Sequence, residues 1–149
     1  MDPLSQLDTD NLEFFLDNLG PPLPTDEDNP SVLAGFVVFQ ALRCSTCHIP
    51  SLDSTIRDTR VALFSDLLLH DVEPPGFHGM AETGAASGMY RTALLWGIKD
   101  TAPYMHDGRA ETVDQAISMH HNEAEFSSAG FGALSPGDQV DLLNFLMSL

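Results

Sequence analysis

The amino-acid sequence predicts one all-α domain with few or no strands. Several segments carry apolar residues at helical spacing together with helix-capping residues. No segment shows a convincing alternation of polar and apolar residues, which is the pattern of a half-buried strand. The chain has 149 residues, of which 43% are hydrophobic. This length suffices for one modest core but not for a second.

Residues 1–30 are predicted to form an N-terminal helix and a connection, and residues 31–149 form the domain itself. The stretch LDTDNLEFFLDNL, residues 7–19, has apolar positions at helical spacing, which indicates a short amphipathic helix. The following stretch GPPLPTDEDNP, residues 20–30, is rich in proline and acidic residues. Because proline interrupts helices, we expect an extended surface connection there.

The first helix of the domain is predicted from the stretch SVLAGFVVFQALRC, with Ser31 as its N-cap. Gly35 and Phe39 lie one turn apart on this helix, and a glycine allows a second helix to approach closely. Phe145 and Leu146, near the end of the chain, offer an apolar surface for such a contact. We therefore expect the first and last helices of the domain to cross.

The remaining elements are predicted from local patterns. Residues 61–70 (VALFSDLLLH) are expected to form a short helical or turn segment, and residues 73–88, rich in glycine and proline, a loop. A helix is expected at about 112–120. The last helix, at about 136–149, has Ser135 as N-cap, proline at its first position and aspartate in its first turn.

The negative charge of the chain restricts its partners. Six Lys and Arg residues against 22 Asp and Glu residues give a formal net charge of -16. Such a surface repels nucleic-acid phosphates and anionic membranes, so nucleic acid is not an expected partner. The acidity either maintains solubility or steers the protein toward a basic partner protein.

The sequence also predicts a chain without a membrane span. No apolar run approaches the roughly 18 residues that a transmembrane helix needs. The first residues, MDPLSQLDTD, lack the basic and apolar regions of a signal peptide. We therefore expect a soluble chain from which any export signal has been removed or replaced.

The stretch RCSTCHIP, residues 43–50, contains both cysteines of the chain. A C-x-x-C pair followed by histidine is typical of covalent haem attachment. Two thiols at this spacing can add to the two vinyl groups of one porphyrin, while the next side chain ligates the iron. Cys44 and Cys47 are thus the predicted thioether anchors of one haem c, and His48 is its predicted proximal ligand.

Two other kinds of site can contain such a cysteine pair. A zinc site would need two further ligands, and His120 and His121 are available, but no second cysteine pair or H-x₃-H spacing accompanies them. A dithiol redox site of the thioredoxin type requires a βαβ context, which the mostly helical pattern lacks. Covalent haem is therefore favoured over both.

Six motifs in order resemble one family. They are VFQALRCSTCHIP, LFSDLLLHD, YRTALLWGI, TAPYMHDGRAETVDQAI, HHNEA and LSPGDQVDLLNFLMSL. Over about residues 10–149 the sequence resembles the C-terminal haem domain of di-haem thiol oxidoreductase-like proteins, relatives of bacterial di-haem cytochrome c peroxidase. The resemblance implies a cytochrome c-like fold around one haem that serves electron transfer. Members of that family carry two haem domains, whereas this sequence has one CxxCH motif.

The second axial ligand of the iron is predicted to be His120. It stands at the end of a predicted amphipathic helix, and the resemblance places it where the distal ligand falls. Met105 and Met119 are the alternatives, because a thioether in a loop before the final helix is the usual arrangement in c-type cytochromes. Either methionine could instead fill a gap in the core.

The other histidines are expected to have structural roles or to be solvated. His121 is expected to point elsewhere on the helix surface. His70 and His78 are expected to be structural or solvated. His106 lies in the sequence HDG, which indicates a tight turn in which nearby backbone groups satisfy the imidazole.

Four further residues are candidates for contact with the haem. Arg91 and Arg109 could each pair with a propionate, because guanidinium binds carboxylate in a bidentate manner, or each could pair with a surface acid. Trp96 and Tyr104 are expected to pack against the porphyrin or the core.

Taken together, the sequence predicts a mono-haem c-type cytochrome that transfers electrons in the periplasm or another oxidising exported compartment. With His48 and His120 on the iron, no position remains for peroxide or another substrate. The expected partner is a redox protein, which is basic if the acidity of this chain steers docking. The alternatives are a module of a di-haem peroxidase or thiol oxidoreductase whose first haem domain is absent, and a zinc- or haem-binding structural module.

Overall fold

The computed structural model describes residues 4–54, 58–77 and 79–149. The helices within these ranges are α1 (Gln6–Asp17), α2 (Pro30–Ala41), α3 (Val113–Ser118), α4 (Glu125–Ala133) and α5 (Pro136–Ser148). Short 3₁₀ helices lie at Cys44–Thr46, Ile98–Asp100 and Asn122–Ala124. The strands are β1 (Leu52–Ser54), β2 (Thr59–Val61), β3 (Leu69–Asp71) and β4 (Met89–Arg91).

The prediction of an all-α fold is wrong, because the described residues form two small antiparallel sheets beside the helices. β1 pairs with β2, with Leu52 opposite Val61, and β3 pairs with β4, with His70 opposite Tyr90. Each strand has only three residues, so none is long enough to show the alternation by which strands are recognised. The fold is mixed, with short antiparallel strand pairs inserted between helices.

Residues 61–70 do not form the short helix that the sequence predicts as an alternative to a turn. They contain the end of β2 and the start of β3, with an irregular stretch between them. Phe64 and Leu67 have positive φ angles of 50° and 62°. Since a bulky residue in this conformation cannot continue a right-handed helix, these two residues exclude a helix.

The prediction of a loop at 73–88 is confirmed for the residues in it that the structure describes. They contain neither a helix nor a strand, and their one regular feature is an isolated bridge between Glu82 and Ala85. Around the predicted helix at 112–120, α3 is shorter and ends at Ser118. The sequence does not predict helix α4. Its sequence EFSSAGFGA contains two glycines, which disfavour a helix, and no described side chain caps its N-terminus.

The core forms where α2 crosses α5, as the sequence predicts. A Cβ built on Gly35 would lie 2.6 Å from both the Asp141 backbone carbonyl carbon and the Phe145 Cβ. Only glycine therefore permits this approach of the two helices. Phe39, 1% exposed, lies one turn further, with its ring centroid 5.3 Å from that of Phe145.

The N-cap of α2 is Asn29 rather than Ser31. The Asn29 side chain accepts a hydrogen bond of 2.9 Å from the Ser31 backbone N–H, and Pro30 occupies the first helical position. The Ser31 hydroxyl donates instead to the Asp141 carboxylate on α5. The serine thus adds a polar contact to the helix crossing. At the start of α5, Ser135 is the N-cap, as predicted, and accepts from the Asp138 N–H.

The N-terminal helix α1 is capped by Ser5 and Asp8 in a reciprocal pair of hydrogen bonds. All of its residues are described, and none is buried. The connection after it meets the domain at Thr25, whose N–H donates to the Ser148 carbonyl over 2.7 Å. The division of the chain near residue 30 stays a prediction. Among the described residues, no helix is both long and apolar enough to pass through a bilayer.

The crossing of α2 and α5 predicts opposite effects for two glycine substitutions. Gly35→Ala should lower the free energy of unfolding by about 1–3 kcal/mol, because the added methyl overlaps α5. Gly132→Ala, on α4 where a Cβ would have no atom within 4 Å, should raise it by roughly 0.5–1 kcal/mol. Chemical unfolding of both variants measures the difference. Equal effects would show that Gly35 is not at a tight contact.

Candidate functional site

The CxxCH motif lies on a tight turn that follows α2. Arg43 adopts a left-handed backbone conformation with φ of 61°, which changes the direction of the chain. The next residues form a 3₁₀ helix, and the N–H of His48 donates to the Cys44 carbonyl over 2.9 Å. The two cysteines do not form a disulfide, and Cys44 packs against the hydrophobic core. The turn therefore presents two thiols and an imidazole from one short segment.

The imidazole of His48 is partly buried and is neutral at pH 7. Its Nδ1 lies 2.9 Å from the Phe64 carbonyl oxygen, and since a carbonyl can only accept, we assign the ring proton to Nδ1. Burial lowers the pKa of His48 to about 4, although the carbonyls of Phe64 and Ala93 oppose this shift. At neutral pH, Nε2 therefore keeps its lone pair, which is the form in which imidazole binds a metal.

His120 has the same arrangement on a different segment. It follows α3, and its Nδ1 lies 2.7 Å from the Ala116 carbonyl oxygen one turn earlier in the chain. Burial lowers the pKa of His120, opposed by this hydrogen bond. His120 is also close enough to His48 to lower the pKa of that residue. The structure therefore brings together two neutral imidazoles, each held by a backbone carbonyl at Nδ1.

The two methionines proposed as alternative ligands lie on two different segments. Met105 has a φ of 67° and lies in the turn enclosed by the bridge between Tyr104 and Ala110. Met119 is the C-cap of α3 and directly precedes His120. Both side chains are partly buried.

The aromatic candidates are also partly buried. Tyr104 packs against the hydrophobic core and donates its hydroxyl to the Ile98 carbonyl over 2.9 Å. This hydrogen bond ties the start of the PYMHDG turn to the preceding 3₁₀ helix. Trp96 is half-buried in the segment before Ile98.

Of the two arginines, Arg109 has defined acidic partners. Its Nη2 lies 2.6 Å from Glu73 Oε2, and its Nη1 lies 3.1 Å from Asp107 Oδ2. Its guanidinium carbon also lies 5.6 Å from the centroid of the Phe77 ring. Arg109 thus pairs with two acids of this chain, whereas Arg91 is exposed at the end of β4.

Glu73 is a functional candidate that the sequence does not indicate. It is 1% exposed. Its Oε1 lies 3.1 Å from His106 Nδ1 but in an alignment that does not make a hydrogen bond, so Oε1 has no hydrogen-bond partner among the described residues. The sequence predicts that backbone groups satisfy His106, but the ring instead faces this carboxylate and stacks on Tyr90 at 3.8 Å. The sequence contains 22 acidic residues, and residue type alone does not show which of them is buried.

His70 has two acidic partners. Its Nδ1 lies 2.8 Å from Glu123 Oε2, and its Nε2 lies 2.9 Å from Asp66 Oδ2. Hydrogen bonds to Glu123 and Asp66 raise the pKa of His70. His121 is half-buried, and its backbone N–H donates to the Val72 carbonyl. His78 lies outside the described residues.

One group of described side chains has ligand atoms close enough to hold a metal ion. The Cys47 sulfur, an Asp66 oxygen and a His70 nitrogen all lie within 4.8 Å of one another. Burial raises the pKa of Cys47, and the charges of Asp66 and Glu123 add to this effect. This group contains neither His120 nor His121, the histidines considered for a zinc site. Both nitrogens of His70 already lie next to carboxylates.

Comparisons with known sequences give a family match and a related protein. A family model described as di-haem oxidoreductase, putative peroxidase, matches residues 4–149. A cytochrome-c peroxidase, IdrP2, of Pseudomonas sp. (strain SCT) is 31% identical over 75 residues, which are 50% of this chain and 20% of that protein. The match thus spans about a fifth of the length of that relative.

A solved structure has a similar fold. A chain of hydrazine synthase from Kuenenia stuttgartiensis, studied under 20 bar of xenon, superposes with a TM-score of 0.68 at 21% identity. The match covers 97% of this chain and 56% of that one. At this identity the likeness concerns the fold alone.

Because Glu73 forms an ion pair with Arg109, removing the charge of Glu73 should strongly lower the stability of the fold. Glu73→Gln should lower the free energy of unfolding by about 2–4 kcal/mol, because Arg109 then lacks a buried partner. Asp53→Asn, which breaks the exposed Arg60–Asp53 pair, should change it by less than about 0.5 kcal/mol. Thermal unfolding compares the two variants. A small effect of Glu73→Gln would mean that the charge of Glu73 does not contribute to the stability of the folded protein.

Proposed function

This chain belongs to the di-haem oxidoreductase, putative peroxidase, family, and we propose that it is an electron-transfer domain with one covalently bound haem c. The family implies a haem cofactor. The observation that carries the proposal is the pair of partly buried imidazoles, His48 and His120, each with Nδ1 on a backbone carbonyl, together with the two thiols that precede His48 in the CxxCH turn.

The donor groups of this chain fit such a haem. Cys44 and Cys47 would hold it through two thioether bonds. His48 and His120 would hold the iron through their Nε2 atoms, because Nδ1 of each ring is already bound to a carbonyl. When bound, the haem supplies a one-electron couple between ferric and ferrous iron.

The protein side chains define what that couple can do. If His48 and His120 both bound the iron, no coordination position would remain for peroxide, and the haem would supply outer-sphere electron exchange. The carbonyl oxygens of Phe64 and Ala116 fix the orientation of both rings and increase their basicity. Partial burial of both imidazoles lowers their pKa and so favours the neutral form that can bind iron.

The proposed partner is a redox protein with a basic surface. The net charge of -16 would attract such a protein over a distance of about one Debye length. We place the domain in the periplasm or another oxidising exported compartment. The side chains proposed to lie around the haem are Arg91, Arg109, Trp96, Tyr104 and Met105.

A second candidate function is that of a module in a peroxidase. The family description and the name of the Pseudomonas relative favour it. This role would require His120 to leave the iron, or a further haem domain to act with this one. The spin state of the iron separates this module from the electron carrier.

The two thiols predict that the haem cannot be removed by unfolding. Haem should remain with the polypeptide after denaturation and acid-acetone extraction, because two thioether bonds hold it. Mass spectrometry should show the polypeptide plus one haem. In Cys44→Ala one linkage should remain and the yield of folded protein should fall. A mass equal to the bare polypeptide would contradict covalent attachment.

The two proposed imidazole ligands predict which substitution frees a coordination position on the iron. His120→Ala should convert the ferric absorption spectrum from low spin to high spin and allow the ferrous form to bind CO. His121→Ala is the matched control, and Met105→Ala and Met119→Ala should also leave the spectrum unchanged. A loss of low-spin character in a methionine variant would identify that methionine as the ligand. A wild-type protein that is already high-spin would favour the peroxidase module.

A further inference from the structure

The imidazole of His70 lies between two carboxylates. Its two ring nitrogens are 2.8 Å from Glu123 Oε2 and 2.9 Å from Asp66 Oδ2. A neutral imidazole has one N–H and could donate to only one of them, whereas an imidazolium donates to both. The geometry is therefore that of a cation bridging two anions. We call Asp66, His70 and Glu123 the His70 triad.

Backbone N–H groups and one threonine hydroxyl hold both carboxylates of the triad. Asp66 Oδ1 accepts from the Leu68 N–H over 2.9 Å and from the Thr92 hydroxyl over 2.7 Å. Glu123 Oε1 accepts from the Asp71 N–H over 2.8 Å. Each carboxylate uses one oxygen for these contacts and the other for His70. The triad is thus a continuous hydrogen-bonded bridge rather than a pair of mobile surface charges.

One end of this bridge is attached to the segment that holds His48. Asp66 lies two residues after Phe64, whose carbonyl binds His48 Nδ1. The Asp66 N–H donates to the Cys47 carbonyl over 2.8 Å. A shift of Asp66 would therefore move the turn that presents the CxxCH side chains.

The other end is attached to the segment that holds His120. Glu123 lies three residues after His120, within the short 3₁₀ helix at Asn122–Ala124. Next to it, the His121 N–H donates to the Val72 carbonyl over 3.0 Å. The triad thus joins the two segments that carry the proposed axial ligands.

We propose that His70 is a positioning residue: as an imidazolium between Asp66 and Glu123, it fixes the segment of His120 relative to the segment of His48 and so keeps His120 on the iron. This inference rests on the proposed function. It assigns to the LLLHD motif a role that neither the axial ligands nor the cysteines explain. His70 itself is not one of the proposed ligands.

The test measures how readily His120 is displaced in the haem-loaded protein. In His70→Gln, CO should bind the ferrous form at least about tenfold faster than in wild type, because hydrogen bonds to a charged group are lost. Glu123→Gln should give a similar increase. The double variant should be no faster than either single one, because both remove the same bridge. His70→Lys, which retains a cation, should restore the slow wild-type rate.

The control is Arg60→Gln, which breaks an exposed ion pair on another sheet and should leave the CO rate unchanged. Thermal unfolding of the same samples identifies any variant that does not fold. If that occurs for His70→Gln, Glu123→Gln is compared alone, since its side chain is 49% exposed. Wild-type CO rates in folded Glu123→Gln, or equal rates in His70→Gln and His70→Lys, would overturn the inference. By contrast, wild-type protein that is high-spin would refute the proposed axial ligands themselves.

Discussion

Two hydrogen bonds from imidazole Nδ1 atoms to backbone carbonyls are the constraint on which the proposed site depends. The Phe64 carbonyl binds His48 and the Ala116 carbonyl binds His120. Each bond assigns the ring proton to Nδ1 and leaves Nε2 for a metal. The first bond depends on the irregular stretch after β2, in which Phe64 adopts a left-handed conformation. The second bond depends on the short helix α3, which contains Ala116 and ends two residues before His120.

In this acidic chain, the titratable groups named here are either neutral or in ion pairs. Burial keeps the imidazoles of His48 and His120 uncharged by lowering their pKa. The buried carboxylate of Glu73 faces the guanidinium of Arg109, and His70 lies between two carboxylates. Because an unpaired charge is costly away from water, the same rule selects the ligands and the ion pairs around them.

The sequence predicts the parts of this structure that depend on local spacing or on single special residues. The CxxCH spacing identifies the turn, and Gly35 identifies the crossing of α2 and α5. The parts that depend on contacts between distant segments cannot be predicted in this way. Three-residue strands show no periodicity, and the burial of Glu73 follows from a contact with Arg109, 36 residues away. The pairing of His70 with Glu123 joins residues 53 positions apart, so it also cannot be predicted from local sequence.

A crystal structure of the haem-loaded chain would test the proposed ligation of the iron without further inference. We expect iron bound on opposite sides by Nε2 of His48 and Nε2 of His120, with both Nδ1 atoms on the Phe64 and Ala116 carbonyls. We also expect thioether bonds from both cysteines to the porphyrin. A methionine sulfur, a water molecule or an open position in place of His120 would contradict the proposed site.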